Sequence, residues 1–156
     1  PDEALGSHPA LHILTRLSPF VIDVRDFVHT RQGQILWLNR LYVEATPPTG
    51  LIASARDAAL LADAAMRDGV LIRSETLELM VPAADQDPPL GWFETGDETR
   101  RWLQHRGGGP GYAAAVRVYP DENLAIAVLA SGTAAPAEDV ADLIARAFPL
   151  VENREN

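Results

Sequence analysis

The hydrophobic and polar positions follow regular periods mainly from residue 50 onward. A helix is predicted to begin at the capping sequence Ser54-Ala55-Arg56-Asp57 and to end at Gly69, because apolar residues recur between them at helical spacing. Ser74 is predicted to cap a second, shorter helix over 75–80, which Pro82 terminates. Two short helices are therefore expected in the middle of the chain.

Four strands are predicted after these helices, over residues 90–95, 100–106, 112–119 and 124–131. A tight turn at Gly96-Asp97 joins the first two strands, and Pro120-Asp121-Glu122-Asn123 joins the last two. The last strand is nearly all apolar, which is typical of a strand covered on both faces.

A final helix is predicted to open at Pro136 and Ala137. Its apolar face consists of Val140, Leu143, Ile144, Ala147 and Phe148. Burying the four large side chains against a sheet would contribute on the order of 6–10 kcal/mol. The pattern predicts an α+β fold, with an antiparallel sheet of about four strands that carries the C-terminal helix on one face and follows two short helices.

The first 49 residues are patterned less regularly and form a poorly defined lead segment within a single domain spanning 1–156. A short helix over 10–17 and a hairpin of strands 20–29 and 34–42 are predicted there. Arg31-Gln32-Gly33 would form the turn of that hairpin, and the sequence TPPTG at 46–50 would form a rigid connection to the region 50–149.

The start of the chain, Pro1-Asp2-Glu3, has no initiator Met and no signal-peptide pattern. We therefore expect the numbering to begin inside a longer gene product. Cysteine is absent, which excludes disulfides and thiolate catalysis and is compatible with any compartment.

Charge and composition exclude several classes of function. The net charge is −9, which disfavours a nucleic-acid partner and an anionic membrane surface, since both need clustered basic residues. No apolar run approaches the ~20 residues that span a bilayer, so no membrane span is predicted. All 13 basic residues are Arg, and no mechanism within this chain can use a catalytic Lys.

The most distinctive chemistry lies in the sequence HRGGGPGY at 105–112. Three consecutive glycines expose the backbone, so another group can approach it closely, and a histidine can exchange a proton near neutral pH. The segment either borders a substrate groove, with His105 in proton transfer, or is a glycine-rich bend whose histidine bonds a neighbouring carbonyl. It lacks the Lys-Ser/Thr ending of a phosphate-binding loop. We predict no cofactor.

Several motifs in collinear order resemble the serine β-lactamase-like family, which includes class C β-lactamases, D-alanyl-D-alanine peptidases and related esterases. The resemblance covers Pro48 to about Phe148. The motifs are GLIAS at 50–54, the capped helix, 71–80, GWF at 91–93, HxGGxPG at 105–111 and VYPDENL at 118–124. The resemblance implies part of a β-lactamase/transpeptidase-like fold and a small-molecule ester or amide substrate.

The resemblance also assigns roles to the glycine-rich segment. His105-Arg106-Gly107 would occupy the Lys-Thr/Ser-Gly box of the family, with His105 in place of the Lys, and the Gly108 N–H would be an oxyanion-hole donor. Gly107, Gly109 and Tyr112 would line the substrate groove. Arg106 departs from the usual small hydroxyl residue, so it would either contact a substrate carboxylate or point to solvent.

Two motifs of the family are absent. Without Lys the chain has no Ser-x-x-Lys, and it has neither Tyr-x-Asn nor Ser-x-Asn. The chain alone is therefore expected to be inactive, because the reaction requires the nucleophile and its base. Two functions remain open: the C-terminal portion of a serine hydrolase acting through an acyl-enzyme, or a non-catalytic binding or assembly module. As partner we expect the missing N-terminal segment or a second copy of the chain.

Other candidate residues have ordinary structural explanations. Ser54 and Ser74 are interpreted as helix caps, and no Gly-x-Ser-x-Gly elbow marks any serine. His8 and His12 have a helical i, i+4 spacing but no third ligand, so they are interpreted as a surface pair and no metal site is predicted. The three tryptophans are predicted to lie in the core or in the wall of the groove.

Overall fold

The structure is a computed structural model that describes residues 5–9, 26–40, 52–67, 70–81, 90–97 and 99–148. The predicted helix over 10–17 and the connection 46–50 lie outside the described residues. The chain divides into two compact units. The first comprises residues 1–52, 107–114 and 129–136, and the second comprises 53–106, 115–128 and 137–156.

The first unit contains a three-stranded antiparallel sheet with the order β1-β3-β2. The strands are β1 (Ser7–Pro9), β2 (Val28–Gln32) and β3 (Ile35–Leu38). Within the described residues the predicted hairpin is confirmed, although its turn lies at Gly33-Gln34, with Gly33 at φ +60°. The predicted strand positions 20–25 and 41–42 lie outside the described residues. Leu36 and Leu38 alternate along β3 and are both buried, as the two-residue period of a half-buried strand requires.

The second unit begins with the two predicted helices, α1 (Ala55–Met66) and α2 (Ser74–Met80). Ser54 is the N-cap of α1 and accepts the Asp57 N–H at 3.2 Å, as predicted. The cap assigned to Ser74 is wrong, because Ser74 is the first helical residue and Arg73 holds the N-cap position without a side-chain cap bond.

The four predicted strands form an antiparallel sheet with the order β4-β5-β6-β7. They are β4 (Phe93–Gly96), β5 (Arg101–Gly109), β6 (Tyr112–Tyr119) and β7 (Leu124–Ala130). The order follows the chain, as expected when consecutive strands are joined by short turns. The main difference from prediction is that β5 continues through the three glycines instead of ending at Arg106.

Side-chain chemistry explains the turns of this sheet. The Asp97 carboxylate accepts hydrogen bonds from the backbone N–H groups of Thr99 and Arg100, both at 2.8 Å, which fixes the turn between β4 and β5. The turn from β6 to β7 is a single 3₁₀ turn, Pro120–Glu122, and ends at Asn123 with φ 53°. Asn tolerates this left-handed conformation better than most residues.

The expectation that β7 is covered on both faces is wrong for the described residues. β7 lies at an edge of the sheet, Ile126 is its one buried residue, and Leu129 is exposed. A continuous apolar run does not by itself reveal which partner covers a strand, because that depends on the elements around it.

The C-terminal helix α3 (Ala137–Ala147) is present, but a different face from the predicted one is buried. Its buried residues are Ala137, Ala141 and Ala145, spaced four apart. Val140, Leu143 and Phe148 are exposed and Ile144 is half-buried, so the predicted burial is wrong for three of the four large side chains. Small residues allow the helix backbone to approach its neighbours closely, and carboxylates beside this stripe pair with arginines of the sheet.

Candidate active site

The predicted site residues lie along β5 and at the start of β6. His105 and Arg106 belong to the second unit, whereas Gly107, Gly108, Gly109 and Tyr112 belong to the first.

In the second unit, His105 is exposed and its ring makes one well-defined hydrogen bond. Nδ1 lies 2.6 Å from the carbonyl oxygen of Gly91. Since a carbonyl can only accept, Nδ1 carries the proton and Nε2 is left with its lone pair in the neutral ring. The Trp92 ring lies beside His105, with centroids 6.4 Å apart. A hydrogen bond to a neighbouring carbonyl is what a histidine with a purely structural role would make. The same bond also fixes the tautomer that a proton-transfer group would need.

Arg106 extends from the second-unit part of β5 towards α3. Its Nη1 lies 3.2 Å from the Glu138 carboxylate, and its side chain is 64% exposed. An exposed pair of this kind contributes little to stability, with a typical value of about 0–1 kcal/mol. The contact of Arg106 with a substrate stays a prediction.

In the first unit, the backbone of Gly107, Gly108 and Gly109 is an extended strand. The glycine-rich bend, which was the other interpretation of this segment, is therefore not formed. Positive φ is not the reason for glycine at these positions. A Cβ on Gly107 would meet the Ala114 Cβ at 3.4 Å, and a Cβ on Gly108 would come within 4.0 Å of the Tyr112 oxygen. Among the described residues, nothing lies within 4 Å of a Cβ on Gly109. Packing within the described chain therefore does not explain the three glycines.

The first unit also contains a polar cluster that sequence reasoning missed. His8, which is 6% exposed, lies on strand β1, and its Nδ1 is 2.7 Å from Thr133 Oγ1. The Thr133 hydroxyl accepts the Gly111 N–H at 2.7 Å. The interpretation of His8 as half of a surface helical pair is therefore wrong, while His12 lies outside the described residues. No sequence signal links His8 to Thr133, because 125 positions separate them.

A layered cluster of arginine and aromatic side chains lies in the second unit. The guanidinium of Arg100 lies over the Tyr119 ring, and that of Arg117 lies over the Trp102 ring, each 5.2 Å from the centroid. The Tyr119 and Trp102 rings are 5.7 Å apart. Cation–π contacts of this geometry stabilise by about 0.5–2 kcal/mol, more when they are shielded from water. Trp102 thus has the structural role predicted for the tryptophans.

Carboxylates and helix carbonyls hold both of these arginines. Arg100 pairs with Glu122 and donates to the Ala145 carbonyl at 2.6 Å, at the C-terminal end of α3. The hydrogen bond with Glu122 raises the pKa of Arg100 above its ordinary value, and burial opposes this only partly. Burial lowers the pKa of Arg117, but the hydrogen bonds with Asp142 and Tyr119 raise it by more, so this pKa also lies above its ordinary value.

A cavity of about 350 Å³ lies beside this cluster. Arginines and carboxylates line it in equal numbers, namely Arg100, Arg117, Arg146, Asp97, Glu138 and Asp142. Arg117 and Asp142 pair with each other, Arg100 pairs with Glu122, and Glu138 pairs with Arg106. Because the six formal charges cancel, the lining does not favour a ligand of either sign. All of its lining residues belong to the second unit, and the glycines of β5 are not among them.

Residues 5–9, 26–40, 52–67, 70–81, 90–97 and 99–148 contain no cluster of three or more His, Asp or Glu side chains suited to a metal ion. In the same part of the chain, no helix has the length and apolar character needed to cross a bilayer.

A family model described as Beta-lactamase matches residues 15–149. The match begins well before Pro48, and it therefore includes most of the lead segment that the sequence pattern left poorly defined. No curated protein and no solved structure matches the chain.

Proposed function

The chain belongs to the beta-lactamase family, and from this membership we propose that it is the C-terminal part of a serine hydrolase that acts through an acyl-enzyme on an ester or amide. The family match supports the serine hydrolase-like fold. The reaction, its substrate class and the residues below are proposals that rest on the site residues of β5.

The observation that carries this proposal is the bare, extended backbone at Gly107–Gly109. These glycines satisfy no dihedral requirement, and a methyl group would fit beside them. A binding partner that approaches the strand closely would explain why side chains are absent there. We propose that the substrate is this partner, with the Gly108 N–H directed at the oxygen that becomes negative in the transition state.

His105 is proposed as the proton-transfer group. Because the Gly91 carbonyl accepts the proton of Nδ1, the neutral ring keeps an acceptor at Nε2. A base whose second nitrogen is held by a fixed acceptor is the arrangement that general-base histidines require. Tyr112, which is 40% exposed, and Arg106 are proposed as groove residues that contact the substrate beyond the reacting bond.

The chain lacks a nucleophile of the family's type. It contains no Lys, hence no Ser-x-x-Lys, and it contains neither Tyr-x-Asn nor Ser-x-Asn. We propose that polypeptide outside these 156 residues supplies both motifs. The 156-residue chain by itself would then bind substrate weakly and not turn it over, because the acyl-enzyme cannot form.

A partner surface follows from the same proposal. Large apolar side chains are exposed on both longer helices of the second unit, with Leu60 and Leu61 on α1 and Val140 and Leu143 on α3. We propose that the missing N-terminal segment, or a second copy of the chain, covers them. Sedimentation should show self-association that Leu143→Glu weakens. A chain that stays monomeric at high concentration and binds no hydrophobic dye contradicts this proposal.

The test of function combines the intact mass of the native gene product with hydrolysis of a chromogenic short-chain ester. We expect a larger product that hydrolyses the ester, an inert 156-residue chain, and a loss of at least about 100-fold in kcat for His105→Gln in the larger product. His29→Gln is the matched control, since His29 is an exposed histidine on β2. An inert larger product without Ser-x-x-Lys favours the binding-module function instead. Robust turnover by the 156-residue chain, abolished by changing one of its own serines, overturns the proposal.

A further inference from the structure

The Thr133 hydroxyl lies at the centre of a hydrogen-bond cluster in the first unit. Four polar atoms surround Oγ1: His8 Nδ1 and the Gly111 nitrogen, both at 2.7 Å, and the carbonyl oxygens of Gly109 and Ser7, at 3.3 and 3.4 Å. Two of these atoms, the Gly109 carbonyl oxygen and the Gly111 nitrogen, flank the turn between β5 and β6. The cluster therefore connects β1 to both sides of the turn that follows the three glycines.

The valence of a hydroxyl restricts how these bonds can form. Oγ1 has two lone pairs and one hydrogen, and the Gly111 N–H occupies one lone pair. If the hydroxyl donates to His8 Nδ1, the hydrogen is used and the Gly109 carbonyl receives nothing from Thr133. If His8 Nδ1 instead carries a proton and donates it, the hydroxyl hydrogen can reach the Gly109 carbonyl at 3.3 Å. The Ser7 carbonyl, at 3.4 Å, already accepts the Thr133 N–H. Only the second arrangement satisfies the full capacity of this half-buried hydroxyl, and it joins the Gly109 carbonyl to the Gly111 N–H through one side chain.

The backbone around Thr133 is fixed independently of the side chain. The Thr133 N–H donates to the Ser7 carbonyl at 2.9 Å, and the Ser7 N–H donates to the Ser131 carbonyl at 3.2 Å. Strand β1 is in turn paired with β3, with Ser7 opposite Trp37. The hydroxyl is therefore presented to the turn from a rigid position, which is what a positioning group needs.

Close backbone packing prevents the turn from moving towards β1. Gly111 has φ +92°, and a Cβ there would meet the Gly6 Cα at 2.9 Å and Leu38 Cδ1 at 3.1 Å. A Cβ on Gly6 would meet the Gly111 Cα at 2.8 Å. Van der Waals contact with Gly6 thus limits movement of the turn, and the hydrogen bond of the Gly111 N–H to the Thr133 hydroxyl holds it in place.

We propose that Thr133 and His8 form a positioning pair that fixes the Gly109–Gly111 turn, with His8 in the Nδ1–H tautomer and Thr133 donating to the Gly109 carbonyl. The pair holds the end of β5, next to Gly108. The role of this pair in catalysis rests on the proposed function, because the pair fixes the backbone that would carry the oxyanion-hole donor. The hydrogen-bond arrangement itself is independent of any activity.

The experiment is ¹⁵N NMR of the 156-residue chain with Thr133→Val, Thr133→Ser and the control Thr30→Val, an exposed threonine of β2 in the same unit. We expect the His8 ring to show Nδ1–H at neutral pH in the wild type. We expect exchange of the Gly111 amide to be about tenfold faster in Thr133→Val, and unchanged within about twofold in Thr133→Ser and Thr30→Val.

Three results would overturn the proposal: an Nε2–H tautomer of His8 in the wild type, unchanged Gly111 exchange in Thr133→Val, or equal losses in the Val and Ser variants. The tautomer is measured on the wild type, so the proposal remains testable if Thr133→Val does not fold. None of these signals requires an ester or a nucleophile. Failure of the positioning pair is therefore distinguishable from failure of the proposed hydrolase activity, which is measured by ester turnover.

Discussion

The carboxylate of Asp142 on α3 pairs with the guanidinium of Arg117 on β6. The Arg117 side chain is 4% exposed, whereas the Asp142 side chain is 43% exposed. The Arg117 Nη2 atom also faces the Glu138 carbonyl at 3.4 Å, while Nε is buried without a hydrogen-bond partner among the described residues. A buried cation thus depends on one partly hydrated carboxylate, and this dependence gives the first prediction.

Asp142→Ala should lower the free energy of unfolding by about 3 kcal/mol, because it leaves a buried charge without its partner. The double variant Arg117→Met with Asp142→Leu should recover most of that loss, since it removes the charge together with its partner. Chemical denaturation of the three proteins measures the effect. Asp63→Ala is the control, because the Asp63–Arg67 pair is an exposed i, i+4 pair whose loss should cost less than about 0.5 kcal/mol. A double variant as unstable as Asp142→Ala would contradict the argument.

The buried face of α3 gives the second prediction. Ala141 is 0% exposed and Leu143 is 64% exposed. Ala141→Leu should destabilise the chain by about 1–3 kcal/mol through overpacking, whereas Leu143→Gln should change stability by less than about 0.5 kcal/mol. Thermal unfolding of both variants, at a protein concentration where the chain is monomeric, decides between the two faces. The reverse order of effects would mean that the large side chains are the buried ones, as the helical period alone predicted.

Asp97 gives a pH-dependent prediction. Hydrogen bonds from the Thr99 hydroxyl, and then from the backbone N–H groups of Thr99 and Arg100, lower the pKa of Asp97 below its ordinary value of 3.8. Because the folded-state pKa is the lower one, ionised Asp97 stabilises the folded chain at neutral pH, and this contribution is lost as the pH falls from about the ordinary pKa through the folded-state value.

Asp97→Asn should therefore lower the Tm at pH 7, and the difference from the wild type should shrink as the pH falls below 3.8. Scanning calorimetry at several pH values measures this. Asp121→Asn is a control on the turn between β6 and β7, since the Asp121 carboxylate is exposed and lies 3.5 Å from Arg101. A Tm difference that stays constant with pH would show that ionisation of Asp97 has no part in stability.

The glycines around the turn differ in what they tolerate. Gly111→Ala should cost about 1–3 kcal/mol, because the residue has φ +92° and its new methyl group would collide with the Gly6 backbone. Gly109→Ala should be neutral or stabilise slightly, since it restricts the unfolded chain and meets no described atom within 4 Å. Urea denaturation of the two variants tests the contrast. Equal costs would mean that the space beside Gly109 is occupied in solution.

The order of elements could be predicted because their signals are local. The N-cap at Ser54 was predicted correctly, and so were both ends of the strand Tyr112–Tyr119. The turn at Pro120–Glu122 depends only on neighbouring residues. Ser74 illustrates the limit of such signals, because Arg73 occupies the cap position one residue earlier. A serine beside a helix start does not fix which residue becomes the cap.

The candidate site could be predicted only in part. The sequence singled out the glycine-rich segment, and the structure adds that it is extended and that His105 donates to the Gly91 carbonyl. The contact of His8 with Thr133 could not be predicted, because it joins positions 125 residues apart. The catalytic roles of His105 and Gly108 remain predictions.

The sequence by itself determined three things: the classes of function that composition excludes, the order of the elements, and the absence of a Ser-x-x-Lys nucleophile. Each of them depends on residue type or on near neighbours. Tertiary structure decided which faces are buried. On α3, the stripe of Ala137, Ala141 and Ala145 is buried while Leu143 is exposed, because small side chains let the carboxylate of Asp142 reach a buried arginine. Burial depends on what lies opposite a residue, and a helical period reveals only that two faces differ.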